Sequence, residues 1–353
     1  MAGSKIPGIQ YLALDSAGTL FDYQGGWADI GHRLPMTVET TMMAYSMSKT
    51  ITAAAVLQLV GAGVVGLDVP VQHYIATPYG PGISVRQLLS HTSGIPNPIP
   101  LRWVHLADDH ATFDETAALG AVLAAHPALS FAPGARYLYS NIGYWLLGHI
   151  VERVSGRSFT AYVTERVLAP LGMPRGELGY AIPDSTHHAN GYLEKYSFLN
   201  LAKRLFIAPE FIGDYEGRWL RIKLHYLNGP AFGGLVGTAR GFGRFLQDQL
   251  RHESALFDAT TRDLFYAQQR TAAGAPVPMT LGWHIGDLGG VPFCYKEGGG
   301  GGFHSLMRLY PAERIGTVVM ANATGVDVKS LLNVVDPLAR RHVRSHPAAR
   351  DQV

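Results

Sequence analysis

The sequence has little of what marks several large classes of protein. It has one cysteine, Cys294, in 353 residues, which excludes an intramolecular disulfide framework. No basic run stands out, and 29 Lys and Arg residues nearly balance 27 Asp and Glu residues. Neither nucleic acid nor an anionic membrane surface is therefore expected as a partner. The longest apolar stretch, near 53–65, contains Gln58 and two glycines and is too short to span a bilayer.

The amino-terminal segment MAGSKIPGIQYLALDSAG also lacks a basic region followed by a continuous apolar one. It therefore does not match an export signal, and we expect a cytoplasmic protein. A periplasmic location would follow only if a leader had been removed before residue 1. The overall composition, 47% hydrophobic and 16% charged, predicts an ordinary globular chain.

Short β-type runs lie at both ends of the chain, and helical patterns fill the middle. Runs around 9–23 and between 280 and 321 have β character and are separated by turn residues. This order predicts an α+β fold (α/β plus all-α lobes), in which an antiparallel sheet flanked by helices receives an inserted helical lobe. The predicted helices are 46–61, 114–126, 143–155, 159–167, 239–250 and about 327–343.

The same pattern suggests a division into two lobes. We predict an α/β lobe with the antiparallel sheet from residues 1–65 and 270–345, and a mainly helical lobe from 66–269. A cleft between them would be the favoured place for a small molecule. Segment 196–219, rich in aromatic and basic residues, is a candidate lid over an acyl or alcohol pocket. The alternative is a packed surface excursion of the helical lobe.

Ser46 and Lys49 form a Ser-x-x-Lys motif at the start of the first helical run. Residues three apart share a helix face, so the Ser46 hydroxyl and the Lys49 amine are expected to meet. A lysine can activate a serine if burial or a nearby cation favours its neutral form. The motif alone is weak, because ordinary Ser and Lys usage gives about one chance match in such a chain. An N-capping serine followed by a solvated lysine is the alternative.

Tyr139, Ser140 and Asn141 directly precede a strongly apolar helical run. The Tyr139 hydroxyl would donate or accept a proton near Ser46, and the Asn141 amide would position Lys49 and a substrate. The alternative is a buried tyrosine followed by helix capping from Ser140 or Asn141.

Lys296, Glu297 and Gly298 end a late β-type run, and glycine continues to Gly302. Such glycines permit a very close approach of the backbone to a ligand. A backbone N–H here, together with that of Ser46, would form an oxyanion hole. A flexible loop or a nucleotide-binding turn is the alternative. A β-type run rather than a helix follows, which disfavours the cradling of phosphate.

The three motifs occur in the order used by serine β-lactamases and penicillin-binding proteins. Because Tyr-x-Asn replaces Ser-Asp-Asn, the sequence most resembles class C β-lactamases, their D-peptidase relatives and family VIII carboxylesterases. The stretches 88–94 (LLSHTSG) and 233–235 (GGL) resemble the same superfamily. The resemblance spans roughly residues 10–340 and implies a β-lactamase/transpeptidase-like fold.

The resemblance also implies a mechanism through an acyl-enzyme on Ser46, with a small ester or amide as substrate. Lys49 and Tyr139 would share the proton transfers, and the sequence does not decide which of them is the base. The backbone N–H groups of Ser46 and Gly299 would hold the oxyanion. The substrate-binding and oxyanion set implied in this way is Asn141, Lys296, Glu297, Gly298 and Gly299.

Glu297 departs from the family pattern, which has threonine there to help hold a substrate carboxylate. A carboxylate facing the cleft would repel another one, although alternation along a strand leaves the direction of residue 297 open. The departure favours a carboxylesterase acting on small neutral esters. The alternatives are β-lactamase or D-Ala-D-Ala carboxypeptidase/D-aminopeptidase-type activity, and a non-catalytic binding member of the family.

No metal or cofactor is expected. One polar cluster (His105, Asp108, Asp109, His110) and the pair His187 and His188 lack a recognised ligand spacing. The pattern Gly-x-Ser-x-Gly is absent, which argues against an α/β-hydrolase.

Overall fold

The computed structural model describes residues 6–98, 103–182, 186–201 and 207–345. In chain order the strands of these residues are β1 (Gly8–Asp15), β2 (Thr19–Asp29), β3 (Leu34–Pro35), β4 (Met42–Met43), β5 (Val104–Leu106), β6 (Leu178–Gly179), β7 (Gly191–Glu194), β8 (Ile212–Glu216), β9 (Trp219–Ile222), β10 (His225–Leu227), β11 (Val236–Gly237), β12 (His284–Asp287), β13 (Pro292–Gly300), β14 (Phe303–Tyr310) and β15 (Ile315–Ala321). The α-helices are α1 (Ser48–Gly61), α2 (Val85–Leu89), α3 (Glu115–Ala125), α4 (Asn141–Ser155), α5 (Phe159–Val163), α6 (Phe198–Leu201), α7 (Pro230–Gly233), α8 (Ala239–Leu250), α9 (Ala259–Tyr266) and α10 (Val328–Ser345).

Both ends of the chain build the main sheet. Its seven strands follow the order β12-β13-β14-β15-β1-β2-β3, and each neighbouring pair is antiparallel. Strand β15 is buried at every position, because α8 packs against it as well as α10. A strand covered on both faces reads as a continuous apolar run, and IGTVVMA fits that pattern. The predicted fold class, an antiparallel sheet flanked by helices, is confirmed.

Helix α1 passes through the interior and packs against α4, α7 and α9. Its residues from Ser48 to Leu57 are buried, because its apolar side chains are spread around the whole circumference. Several other helices begin with a side-chain cap that accepts the backbone N–H of the third helical residue. These capping residues are Ser84, Asp114, Ser140, Ser158, Thr238 and Asp258.

The predicted elements differ from the observed ones mainly at their ends. The prediction of α8 agrees with its observed bounds. The predicted helix 159–167 instead divides into α5 and a π-helical turn, Thr164–Leu168. Strand β12 begins only at His284, whereas β13 continues through the glycines to Gly300. The glycine run is therefore partly strand, because β14 pairs with it as far as Gly300.

Helices long and apolar enough to cross a bilayer are absent from the described parts of the chain.

Candidate active site

Ser46 lies in a short 3-10 turn, Tyr45–Met47, directly before α1. The predicted helix thus begins two residues later than expected, at Ser48, and places Lys49 in its first turn. The Lys49 Nζ atom lies 3.0 Å from the Ser46 hydroxyl oxygen. The sequence alternative of a solvated lysine is wrong, since the Lys49 side chain is fully buried.

The Lys49 amine is surrounded by oxygen atoms and aromatic rings. Its Nζ lies 2.7 Å from Asn141 Oδ1 and 2.6 Å from the Phe232 carbonyl oxygen. The Tyr139 ring lies 4.9 Å from the same nitrogen. Burial, and secondly the charge of Lys296, hold the pKa of Lys49 well below its usual range.

Tyr139 is the second side chain that contacts the Ser46 hydroxyl. Its hydroxyl donates to the Ser46 oxygen at 2.7 Å, and burial raises its pKa. The ring of His91 lies 4.4 Å from the Tyr139 ring, and His91 Nδ1 accepts the Ser140 backbone N–H at 3.1 Å. His91 therefore holds the start of α4.

Asn141 is the first residue of α4, and its two ends point to different partners. Its side-chain oxygen accepts from Lys49, whereas its backbone N–H and its amide nitrogen both donate to Asn97 Oδ1 at 3.1 Å. Asn97 thus orients the Asn141 amide with its oxygen toward the lysine.

Lys296 is fully buried on β13, next to the same aromatic rings. Its Nζ lies 5.4 Å from the Tyr139 ring and 5.7 Å from the Tyr144 ring. Burial lowers the pKa of Lys296 to about 7. Within the described residues its amine has no hydrogen-bond partner, so a substrate atom reaching it would meet an unpaired donor.

Glu297 points away from the face that carries Lys296 and Gly298. Those two residues are buried, whereas the Glu297 side chain is 43% exposed and lies 2.7 Å from His304 Nε2. This hydrogen bond to His304 is the main cause that lowers the pKa of Glu297. Its negative charge still contributes to the raised pKa of Tyr139, so the carboxylate influences the site from the side.

Gly298 brings β13 against the turn that carries the nucleophile. A Cβ atom added to Gly298 would lie 2.0 Å from the Ala44 carbonyl oxygen and 3.0 Å from the Ser46 backbone nitrogen. Only glycine permits this approach of strand to turn. Gly299 follows at once and lines the pocket in front of Ser46.

A pocket of about 360 Å³ opens beside Ser46, Tyr139 and Asn141. Gly299 to Gly301 form one wall, and the described side chains that line it include no Asp, Glu, Lys or Arg. Its apolar lining residues are Val104, Ile207, Phe211, Ile222, Leu227 and Phe232. Ile207 and Phe211 belong to the candidate lid 196–219, of which residues 202–206 lie outside the described residues.

The sequence motifs missed several of these neighbours. Tyr45 and Phe232 flank short motifs of the sequence, and Asn97 lies between two prolines, a pattern that indicates a loop but not a contact with Asn141. The Phe232 contact uses a backbone carbonyl, which no side-chain pattern can reveal. His284, whose ring stacks on Tyr139 with centroids 6.3 Å apart, follows an ordinary Gly-Trp pair.

The fold and this cluster define the class of proteins that includes β-lactamases and penicillin-binding proteins. A family model described as Beta-lactamase matches residues 1–336, and the chain belongs to that family. The superfamily predicted from the three motifs is therefore confirmed. Members of this family include serine hydrolases such as peptidases, amidases and β-lactamases.

Individual relatives are distant. A penicillin-binding protein of Bacillus subtilis (strain 168) is 22% identical over 88% of this chain and 67% of its own. A D-aminopeptidase of Brucella anthropi is 28% identical over 91% of this chain, which spans only 57% of the relative's length. A penicillin-binding protein homologue from Pyrococcus abyssi has a TM-score of 0.77 at 23% identity, covering 95% of this chain and 74% of its own. A class C β-lactamase has a TM-score of 0.72 at 20% identity, covering 95% and 91%.

Proposed function

We propose that this chain is a serine hydrolase that forms an acyl-enzyme on Ser46. The observation that carries the proposal is the position of the Ser46 hydroxyl, within hydrogen-bond distance of both Lys49 and Tyr139. A nucleophile and its base within about 3 Å of each other are the arrangement that covalent catalysis requires.

Lys49 is the base in this proposal. Two of its neighbours, the Asn141 side-chain oxygen and the Phe232 carbonyl, can only accept hydrogen bonds. A neutral amine has two protons for these acceptors and a lone pair for the Ser46 hydroxyl proton. Burial and Lys296 favour that neutral form by lowering the pKa of Lys49.

Tyr139 then acts mainly as the acid. Burial raises its pKa, so the phenol form is favoured, and the hydroxyl already points at Ser46. As the Ser46 oxygen bonds to the substrate carbonyl carbon, its proton passes to Lys49. Tyr139 gives its proton to the departing alkoxide or amine and is reprotonated from Lys49. Water then attacks the acyl carbon, and the same proton transfers run in reverse order. This step releases the carboxylic acid product and restores the Ser46 hydroxyl.

We further propose small neutral esters as the substrate class. Apart from the catalytic cluster, the pocket beside Ser46 is lined mainly by apolar side chains, and His225 is the histidine among its described lining residues. Burial lowers the pKa of His225, which favours its neutral form. An acyl chain or aromatic ring would gain about 25 cal/mol for each Å² of apolar area that enters such a pocket. The oxyanion would be held by the backbone N–H groups of Ser46 and Gly299.

A D-aminopeptidase-type activity is the second candidate. An aminopeptidase substrate carries an ammonium group, and Glu297 keeps an ionised carboxylate on the strand beside Lys296. The D-aminopeptidase of Brucella anthropi and a D-amino acid amidase of Ochrobactrum anthropi SV3 (TM-score 0.71) are similar to this chain. Because Glu297 points toward His304 and away from the face of Lys296, its charge would act on a substrate carboxylate only from the side.

A three-substrate comparison tests both proposals. Wild type and Ser46→Ala are assayed with p-nitrophenyl butyrate, D-alanine p-nitroanilide and nitrocefin, and each is treated with a fluorophosphonate probe. We expect labelling and ester turnover for wild type only, with kcat/KM highest for the ester. Anilide turnover above ester turnover would replace the ester proposal by the second candidate. An unlabelled and inactive wild type would refute catalysis on Ser46.

A further inference from the structure

Tyr45 connects the two parts of the chain that would supply the oxyanion hole. Its backbone leads directly into Ser46, and its hydroxyl donates to the Gly301 carbonyl at 2.8 Å. Its ring lies on the same strand end, since a Cβ atom added to Gly300 would be 2.3 Å from Tyr45 Cε1. One side chain therefore contacts Gly300 and Gly301, the two residues that follow Gly299 in the glycine run.

The backbone of Tyr45 is held in an unfavourable conformation. Its φ of +46° lies in the left-handed region, which is unfavourable for a residue other than glycine. A bulky side chain adopts this conformation only when its surroundings hold it there. Those surroundings are the glycine strand on one side and His225 on the other, with His225 Nε2 3.0 Å from the Tyr45 hydroxyl. His225 is itself oriented by a 2.9 Å contact from Nδ1 to the Lys223 carbonyl.

The end of β13 depends on such contacts, because no strand of the described residues pairs with one of its edges. The pairing of β13 with β12 ends at Tyr295, five residues before the strand does. Beyond that point the edge faces the Tyr45–Met47 turn, as the approach of Gly298 to Ala44 shows. Glycines have the greatest backbone freedom, so an edge made of them needs external support to hold one geometry.

We propose that Tyr45 is a positioning residue that fixes the distance between the Ser46 and Gly299 backbone N–H groups. Its strained backbone sets the direction of the first donor, and its ring and hydroxyl hold the strand that carries the second. The inference rests on the proposed function, because it assigns those two groups to the oxyanion hole. Hydrogen-bond donors stabilise a transition state only when they are preorganised around the developing charge.

The expected effect is moderate, because the glycine turn has a second support. Thr324 accepts the Gly302 N–H and donates to the Gly300 carbonyl, both at 2.7 Å. Loss of the Tyr45 hydroxyl therefore loosens the strand end without releasing it. Removing an oxyanion donor outright costs about 10²–10³ in kcat, and a displaced donor should cost less.

The test compares Tyr45→Phe with the matched control Tyr79→Phe. The Tyr79 hydroxyl is also buried and also donates to a backbone carbonyl, that of His126 at 2.9 Å, away from the site. We expect Tyr45→Phe to lower kcat for p-nitrophenyl butyrate about tenfold to a hundredfold, with KM and the pH midpoint of kcat/KM nearly unchanged. Tyr79→Phe should keep wild-type kcat. Hydrogen exchange of a peptide covering 296–303 should be faster in Tyr45→Phe only.

Several results would overturn the inference. Wild-type kcat in Tyr45→Phe would do so, as would a rise in KM alone, since that would indicate a role confined to the pocket wall. An equal fall of kcat in Tyr79→Phe would point to general destabilisation. If hydrogen exchange of the peptide 296–303 were the same in Tyr45→Phe and wild type, the inference would be contradicted. This result can be obtained even if the enzyme has no activity on these substrates. Failure of the proposed function, by contrast, appears as wild type and Ser46→Ala behaving alike.

Discussion

The Lys49 amine lies 3.0 Å from the Ser46 hydroxyl oxygen while fully enclosed by protein. A buried lysine loses the hydration that favours its charged form, so burial in itself turns this residue toward a neutral base. The neighbouring amine of Lys296 adds to the effect, because two positive charges close together are unfavourable. The geometry thus couples the first motif of the chain to the last.

Replacing Lys49 by methionine should abolish most of the activity. Methionine has a similar volume and no proton acceptor, so we expect kcat for p-nitrophenyl butyrate to fall by about 10²–10⁴. Lys49→Arg should not restore it, because a guanidinium stays protonated. The matched control is Lys195→Met, at an exposed lysine. Activity retained in Lys49→Met would leave Tyr139 as the base.

Replacing Lys296 by methionine should move the pH profile. The Lys296 charge lowers the pKa of Lys49, so its removal raises that pKa. Since the base must be deprotonated, the acidic limb of kcat/KM should shift to higher pH. The midpoint, rather than the absolute rate, is the measurement, because Lys296 also faces the site. A midpoint shifted to lower pH would contradict this electrostatic coupling.

A methyl group at Gly298 should damage the site by forcing the strand away. The atom nearest to a Cβ added at Gly298 is the Ala44 carbonyl oxygen, at 2.0 Å, and a backbone atom cannot rotate aside. We expect Gly298→Ala to lower the free energy of unfolding by at least about 1–3 kcal/mol and to slow fluorophosphonate labelling of Ser46. Gly301→Ala is the stability control, since the atom nearest to a Cβ added there, on Ile222, lies 3.6 Å away. Equal urea midpoints for the two variants would show that the approach is not tight.

Enlarging the pocket at Phe211 should change the preferred acyl length. Phe211 lines the pocket and is mostly buried, so Phe211→Ala creates space next to the acyl group. We expect kcat/KM to rise for p-nitrophenyl octanoate relative to the butyrate by about tenfold, which corresponds to one or two newly buried methylenes. Phe257→Ala, a buried ring outside this pocket, controls for lost stability. An unchanged ratio would place the acyl chain elsewhere.

The fold class and the chemistry-bearing motifs were largely predictable from the sequence. Apolar periodicity located α8, and a β-rich run bounded by turn residues located β14. The Ser-x-x-Lys spacing predicted a shared helix face for Ser46 and Lys49. The ends of β12 and β13 were not predictable, since glycines join a strand only when a neighbour pairs with them.

By itself, then, the sequence determined the antiparallel sheet flanked by helices, the family, and three motifs in order along the chain. Only the tertiary structure decided how they meet. In it the Phe232 carbonyl accepts a hydrogen bond from Lys49, Asn97 accepts one from the Asn141 amide, and the Tyr45 ring packs against Gly300. It also turned Glu297 away from Lys296 and toward His304. The physical reason is that periodicity and spacing encode local geometry, whereas burial, pKa and backbone contacts arise from residues distant in sequence.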